Sequence, residues 1–205
     1  DIYLEQNDSH GLTTLMDKNL VAAGPVITLS FRGKSGKDQQ ITFEDARIAK
    51  LIEQLTAQRG SRLFRYKQNG NYVNVEPEHI NAYLHDVTSQ DISAKDFRTW
   101  GGTLMAFNHL VETEKLPDED TPKPEKSVIA AVDAAANVLG NTRAVAKSSY
   151  VHPDILEAYA HKDFAKYYSA ARQKHTIAGL DKRETELLAV LEQLFENEFT
   201  LLREK

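Results

Sequence analysis

Lys95-Asp96-Phe97-Arg98-Thr99-Trp100-Gly101-Gly102 opens a helical pattern that runs on through Leu104, Phe107, Leu110 and Val111. Apolar residues three and four apart make one buried face. Ser93 ahead of the helix and Asp96 at its third position give a capping-box-like start. Lys95 and Arg98, at i and i+3, share a face. Two later stretches belong with this one: Leu139-Gly140-Asn141, and Lys147-Ser148-Ser149-Tyr150-Val151-His152-Pro153. Tyr150 follows a lysine and two small polar residues, where no core pattern demands an aromatic ring. Two cations and a phenol facing one point would suit a phosphodiester, the cations neutralising its charge and the phenol oxygen attacking phosphorus.

Upstream of that helix, Pro77 opens another through about Val87, and Leu63–Val75 reads as a small polar hairpin around Gln68-Asn69-Gly70-Asn71. Glu44–Gln58 carries Ala46, Ile48, Ala49, Leu51, Ile52 and Leu55 at helical spacing, with Gly60 ending it. Residues 1–43 read as strands. Gly11-Leu12-Thr13-Thr14-Leu15 is short and β-rich, and Val26–Arg32 alternates with Ile27, Leu29 and Phe31 on one face. Gly33–Lys37 turns the chain, placing Lys34 at a hairpin tip, and Asp38–Phe43 returns. A phosphate-loop reading of Gly33-Lys34-Ser35 fails, because position 28 is Thr rather than the required glycine and no helix follows.

Downstream, Leu116–Lys126 is a proline-rich acidic connector, and Lys126–Leu139 is an alanine-rich helix ended by Gly140. A short helix precedes Tyr150. Others run from Pro153 to about His161, over Asp163–His175 and over Asp181–Leu202. The expected class is α+β, mainly helical: a β-rich start (1–43) with a small hairpin, then a helical body (44–205) that holds the candidate site.

The 205 residues are 41% hydrophobic and 27% charged, the profile of a soluble globular protein, and no run approaches a membrane span. The polar, acidic first residues are no signal peptide. A start without Met implies a fragment or a processed product. Zero cysteines exclude disulfides, thiolate metal sites and a cysteine nucleophile, and fit a reducing cytosol. The seven histidines lack the i,i+4 pairing of zinc helices, so neither a metal nor a cofactor is expected. Ser148 and Ser149 sit in no nucleophile elbow.

The net charge of −5 argues against nucleic acid until its distribution is considered. Acid concentrates in Glu112, Glu114, Asp118-Glu119-Asp120 and Asp181–Glu198. Around Tyr150, by contrast, Arg143, Lys147, Lys162, Lys166, Arg172 and Lys174 face only Asp154, Glu157 and Asp163. Taken singly, Tyr150 reads as a core residue, Arg98 as an ion-pair partner, Lys34 as a solubilising charge, Asn141 as part of a helix cap and Trp100 as packing.

Together they carry more. Lys95-Asp-Phe-Arg98-Thr-Trp-Gly-Gly-Thr103, then Leu139-Gly-Asn141-Thr and Lys147-Ser-Ser-Tyr150-Val-His-Pro153, resemble the catalytic domain of bacterial and poxvirus type IB DNA topoisomerases. Tyr3-Leu4-Glu5-Gln6-Asn7, Gly11–Leu15 and Phe31-Arg32-Gly33-Lys34 fit the same resemblance, which covers positions 3 to about 160. It implies a topoisomerase IB or tyrosine-recombinase-like fold and a division of labour. Tyr150 would attack the scissile phosphodiester to give a 3′-phosphotyrosyl bond. Lys34 would protonate the leaving 5′-oxygen. Arg98, with Lys95 beside it, would stabilise the phosphorane-like transition state. Asn141 stands where some relatives have His, and its amide can donate to phosphate but cannot take up a proton.

The resemblance also implies ATP- and metal-independent relaxation of double-stranded DNA by a monomer in the cytoplasm, at the nucleoid. Lys147, Arg143, Lys67 and Tyr3 are the expected DNA contacts. The family's further catalytic arginine, a few residues before Tyr3, and its N-terminal DNA-clamping domain are missing from this chain, so the fragment alone is expected to be severely impaired. Two alternatives stand beside this reading: a tyrosine recombinase, which usually has His-x-x-Arg where Lys95-Asp-Phe-Arg98 stands, and a non-catalytic DNA-binding module.

Overall fold

Ile27, on the face that alternation predicts to be buried, is fully enclosed at the centre of a three-stranded antiparallel sheet. The computed structural model describes residues 10–33, 36, 38–56, 62–116 and 122–203. Its contacts divide the chain into two units, Asp1–Ala94 and Lys95–Lys205.

In the first unit the sheet order is β1 (Leu20–Ala23), β2 (Val26–Arg32), β3 (Asp38–Glu44). The register sets Ile27 opposite Phe43 and Leu29 opposite Ile41, as a hairpin read from the apolar alternation requires. Strand β1 lies within the 1–43 stretch read as strands, although no segment was singled out there. It joins through Gly24, whose φ of +60° makes the tight turn ahead of Pro25. Helix α1 (Ala46–Thr56) starts on Asp45, whose carboxylate accepts from the backbone N–H of Arg47 and Ile48 at 2.8 and 3.0 Å. Those two bonds hold the Asp45 carboxyl below its ordinary range. The helix buries Ala49 and Ile52 against Ile27 and leaves Ile48 and Leu51 exposed, a narrower stripe than its sequence predicts.

Gly11–Leu15, expected as a strand, is instead a 3-10 turn over Leu12–Thr14. The Thr14 hydroxyl accepts from Gly11 N–H at 2.8 Å and donates back to its carbonyl, so a local side-chain bond takes groups that a ladder would have used. A second 3-10 turn, Asp17–Asn19, follows. The Asn19 amide ties it to Ser30 O of β2 at 3.1 Å. The predicted small hairpin is present as β4 (Arg65–Gln68) and β5 (Asn71–Asn74), and α2 (Pro77–Thr88) closes the unit.

The second unit is helical. Helix α3 (Ala94–Thr113) is followed by α4 (Pro124–Leu139), α5 (Arg143–Ser149), α6 (Pro153–Ala160), α7 (Phe164–Ala171) and α8 (Lys182–Arg203). Ala106, Phe107, Leu110 and Val111 of α3 pack with Ala131, Val132, Ala135 and Ala136 of α4, and with Ile155, Phe164, Leu187 and Val190. Helix α7 is shorter than predicted because Lys182 Nζ takes the carbonyls of Arg172 and Lys174 at 2.9 and 2.8 Å, closing a loop after the helix.

Trp100 pins α3 to the start of α8. Its indole N–H donates to Glu184 Oε1 at 3.1 Å, and Glu184 and Asp181 cap α8 reciprocally. The architecture is α+β and mainly helical, with eight α-helices among the described residues. None of these helices is long and apolar enough to cross a membrane.

Candidate active site

Helix α4 ends because Gly140 adopts φ +68°, open to a residue without Cβ. Gly140 N–H then donates to Asn137 O at 3.3 Å and Asn141 N–H to Ala136 O at 2.9 Å, a full Schellman closure. The Leu139 carbonyl is taken by another donor, the Arg98 guanidinium, which bonds it at 3.1 Å from α3. The C-terminus of a helix carries partial negative charge, so a cation is favoured there.

Thr142 restarts the chain as the cap of α5, its hydroxyl accepting from Val145 N–H at 3.3 Å. Helix α5 makes two turns and delivers Tyr150, whose backbone N–H bonds Ala146 O at 3.0 Å. The guanidinium carbon of Arg98 lies 4.9 Å from the centre of the Tyr150 ring, a cation–π contact. The i,i+3 cation and the tyrosine, fifty-two positions apart in sequence, therefore meet at the end of α4.

The backbone of Tyr150 is fixed from the other side by α3. Thr103 Oγ1 donates to Tyr150 O at 3.4 Å and accepts from His152 N–H at 3.0 Å, one hydroxyl clamping the residues on both sides of Val151. Gly102 allows the approach, since a Cβ there would lie 2.5 Å from Tyr150 O and 3.0 Å from Leu139 Cδ1. Gly102 and Thr103, from the Trp-Gly-Gly-Thr continuation of the opening stretch, thus cradle Tyr150. Sequence reasoning assigned Thr103 and Gly102 no role. Their signal was the small residues set one turn after Arg98.

Asn141 stands half-buried at the same junction, and Lys95 is exposed one turn before Arg98 on α3. Lys147 is exposed on α5, one turn ahead of Tyr150. Arg143 is engaged in a fork: its Nε and Nη2 bond the two carboxylate oxygens of Asp133, each at 2.6 Å. The guanidinium holds the Asp133 carboxyl below its ordinary value. Lys67 is exposed on β4 of the other unit. Lys34 and Tyr3 lie outside the described residues. Arg32, the last residue of β2, donates from its Nε to Gly36 O at 3.2 Å.

Residues 2–177 match the family model described as "Eukaryotic DNA topoisomerase I, catalytic core". The chain belongs to the type IB DNA topoisomerase family. It is 33% identical over 165 residues to the "DNA topoisomerase 1B" of Acanthamoeba polyphaga mimivirus, covering 78% of this chain and 49% of that protein. The "DNA topoisomerase 1B" of vaccinia virus (strain Copenhagen) is 24% identical over 164 residues, covering 79% of this chain and 49% of the relative. The "DNA topoisomerase 1" of rabbit fibroma virus is 25% identical over 167 residues, 78% and 48%. These relatives are viral, where the sequence resemblance named bacterial and poxvirus enzymes together. The chain spans about half the length of the curated relatives it matches. The Arg98–Leu139–Tyr150 junction falls wholly inside the span matched to the catalytic core.

Proposed function

We propose that this chain is the catalytic portion of a type IB DNA topoisomerase that relaxes supercoiled double-stranded DNA without ATP or a metal. The Tyr150 oxygen forms a bond to the scissile phosphorus as the bond from phosphorus to the 5′-oxygen breaks. The phenol gives up its proton to solvent water, and the leaving 5′-oxygen takes one from Lys34. A 3′-phosphotyrosyl bond conserves the energy of the phosphodiester, so the 5′-hydroxyl can attack it again and reseal the strand once the DNA has rotated. Arg98 and Lys95 offset the charge that builds on the non-bridging oxygens, and Asn141 donates a hydrogen bond there. Preorganised donors of this kind are each worth about 10²–10³ in rate.

The single observation that carries the reading is the Arg98 guanidinium held between the Leu139 carbonyl and the Tyr150 ring. A cation fixed by the protein beside a phenol is set for a transition state with negative oxygens and an attacking phenolate. Lys147 and Arg143 are proposed DNA contacts near the nucleophile, with Lys67 and Tyr3 in the first half of the chain. The protein works as a monomer on DNA in the cytoplasm, where a nucleoid would hold it. An upstream DNA-clamping domain and the arginine that precedes Tyr3 in the family complete the machine.

The test is relaxation of supercoiled plasmid by the full-length parent, with EDTA and without ATP, beside Tyr150→Phe. Relaxation by the parent alone supports both the reaction and the nucleophile. Relaxation by both proteins removes Tyr150 from the chemistry. Binding without relaxation by either favours a DNA-binding module, and exchange of strands between two sites favours a recombinase.

A further inference from the structure

We infer that the face of the β4–β5 hairpin that carries exposed Lys67 and Tyr72, with half-buried Arg65 beside them, docks the sugar–phosphate backbone of duplex DNA as a contact additional to the Tyr150 site. The inference rests on the proposed action on DNA and names a surface for it. Residues 57–75 hold Arg59, Arg62, Arg65 and Lys67 and no Asp or Glu, in a chain whose net charge is −5. Arg62 is accounted for by its ion pair with Glu76 at 3.1 Å. The strand period sets the placement of Arg65 and Lys67.

Arg65 pairs directly with Asn74 and Lys67 with Tyr72, so all four side chains stand on one face of the ribbon. Tyr66 and Val73 stand on the other, where the Tyr66 ring meets His79 of α2 edge-on at 5.8 Å. The first face carries no carboxylate. Its cations are separated by a two-residue rise of about 6.7 Å, comparable with the spacing of neighbouring phosphates on one strand. Tyr72 is 49% exposed, and the Arg65 guanidinium lies over its ring at 5.8 Å, which sets both groups in place before any ligand arrives.

A cross-strand cation–π pair steadies the hairpin itself, and on a face without carboxylates it also presents a ring and cations suited to a nucleic-acid backbone. Cations neutralise phosphates, and tyrosine hydroxyls and asparagine amides donate to phosphate and sugar oxygens. The turn at Asn69 and Gly70, with φ of +50° and +86°, adds further amides at the tip. The charge of this face is complementary to DNA and to no acid-free partner.

The experiment is equilibrium binding of the 205-residue chain carrying Tyr150→Phe to a short labelled duplex over a salt titration, so that no covalent adduct contributes. Lys67→Glu is expected to weaken binding about tenfold and to lower the slope of log K against log salt by about 1. Tyr72→Ala is expected to weaken it several-fold with the slope unchanged. Lys50→Glu, the same charge change on the exposed side of α1, serves as the control and is expected to move neither. Thermal melting checks the fold, and Lys67→Gln replaces Lys67→Glu should the latter melt early.

Equal effects of the Lys50 and Lys67 changes would reduce the hairpin to bulk charge and overturn the inference, as would weakening seen on a single strand but not on the duplex. Binding indifferent to the hairpin overturns it while leaving the topoisomerase reading intact. Hairpin-dependent binding by a protein whose parent forms no adduct through Tyr150 supports it and removes that reading instead.

Discussion

The Arg98 guanidinium lies 4.9 Å from the Tyr150 ring while bonding Leu139 O at 3.1 Å, so one side chain joins α3, the end of α4 and the residue after α5. A lysine has the charge but neither the planar fork nor the stacking face. Arg98→Lys is therefore expected to slow covalent adduct formation by about 10²-fold or more, with a much smaller change in melting temperature. Single-turnover cleavage of a labelled duplex by the full-length parent reads the first, and a thermal scan of the chain the second. A lysine variant that cleaves at the parent rate would leave Arg98 only a structural tie.

The two adjacent glycines of α3 are expected to behave in opposite ways. A Cβ at Gly102 meets Tyr150 O at 2.5 Å and Leu139 Cδ1 at 3.0 Å, both in packed surroundings. Gly102→Ala should cost about 1–3 kcal/mol as backbone shifts to make room, and it should displace Tyr150. A Cβ at Gly101 meets nothing within 4 Å. Gly101→Ala should stabilise by up to about 1 kcal/mol, the helix-propensity difference. Denaturant melts of the two single variants decide it, and destabilisation of equal size would contradict the geometry.

Long periodic helices were the most legible part of the chain, because burial on one face imposes the period directly. The Lys95–Val111 stretch became α3 with Phe107, Leu110 and Val111 enclosed, and Gly140 and Pro153 stood at the boundaries that backbone sterics predict. Short segments were less legible. Gly11–Leu15 has β-rich composition, yet the Thr14 hydroxyl satisfies Gly11 locally and turns the chain. Strand β1, Leu-Val-Ala-Ala, is apolar throughout and only four residues long, so it shows no alternation, and pairing with β2 makes it a strand.

At the site, motif spacing pointed to Arg98 and Tyr150 but could not show that a main-chain carbonyl, Leu139 O, would be the third member. Nor could spacing show that Arg143, counted as a DNA contact from its charge, would be forked onto Asp133, ten residues before it on the preceding helix.

That fork has a pH signature. Asp133 titrates below its ordinary value of 3.8 in the folded protein, chiefly through its hydrogen bonds to Arg143. A carboxyl depressed on folding contributes stability above its unfolded pKa and loses it as pH falls through the folded one. The contribution is thus intact at neutral pH and disappears on acidification below about 3.8, with Asp45 and Glu112, also lowered, adding to the same acid limb. Melting temperature against pH should fall less steeply on that limb in Asp133→Asn, with little pH dependence of the difference between pH 6 and 8. An unchanged acid limb would mean the pair is no more than a surface contact. Asp133→Asn also releases Arg143, so tighter, more salt-dependent duplex binding by this variant is the result expected if Arg143 reaches phosphate.

Thr103 offers the sharpest test of how Tyr150 is held. Its hydroxyl accepts from His152 N–H at 3.0 Å and donates to Tyr150 O at 3.4 Å, and the side chain is buried. Thr103→Val keeps the shape and removes both bonds, leaving a backbone donor and a backbone acceptor without that partner at a cost of about 1–3 kcal/mol. Thr103→Ser restores the hydroxyl and loses only a methyl. The expected order of melting temperature is Thr, then Ser, then Val. Because Tyr150 O belongs to the proposed nucleophile and His152 N–H lies two residues after it, the rate of adduct formation by the full-length parent should follow the same order, with substrate binding little altered. A valine variant that is destabilised yet cleaves at the parent rate would show that the clamp serves the fold and leaves the aim of Tyr150 to Arg98 and the α5 backbone.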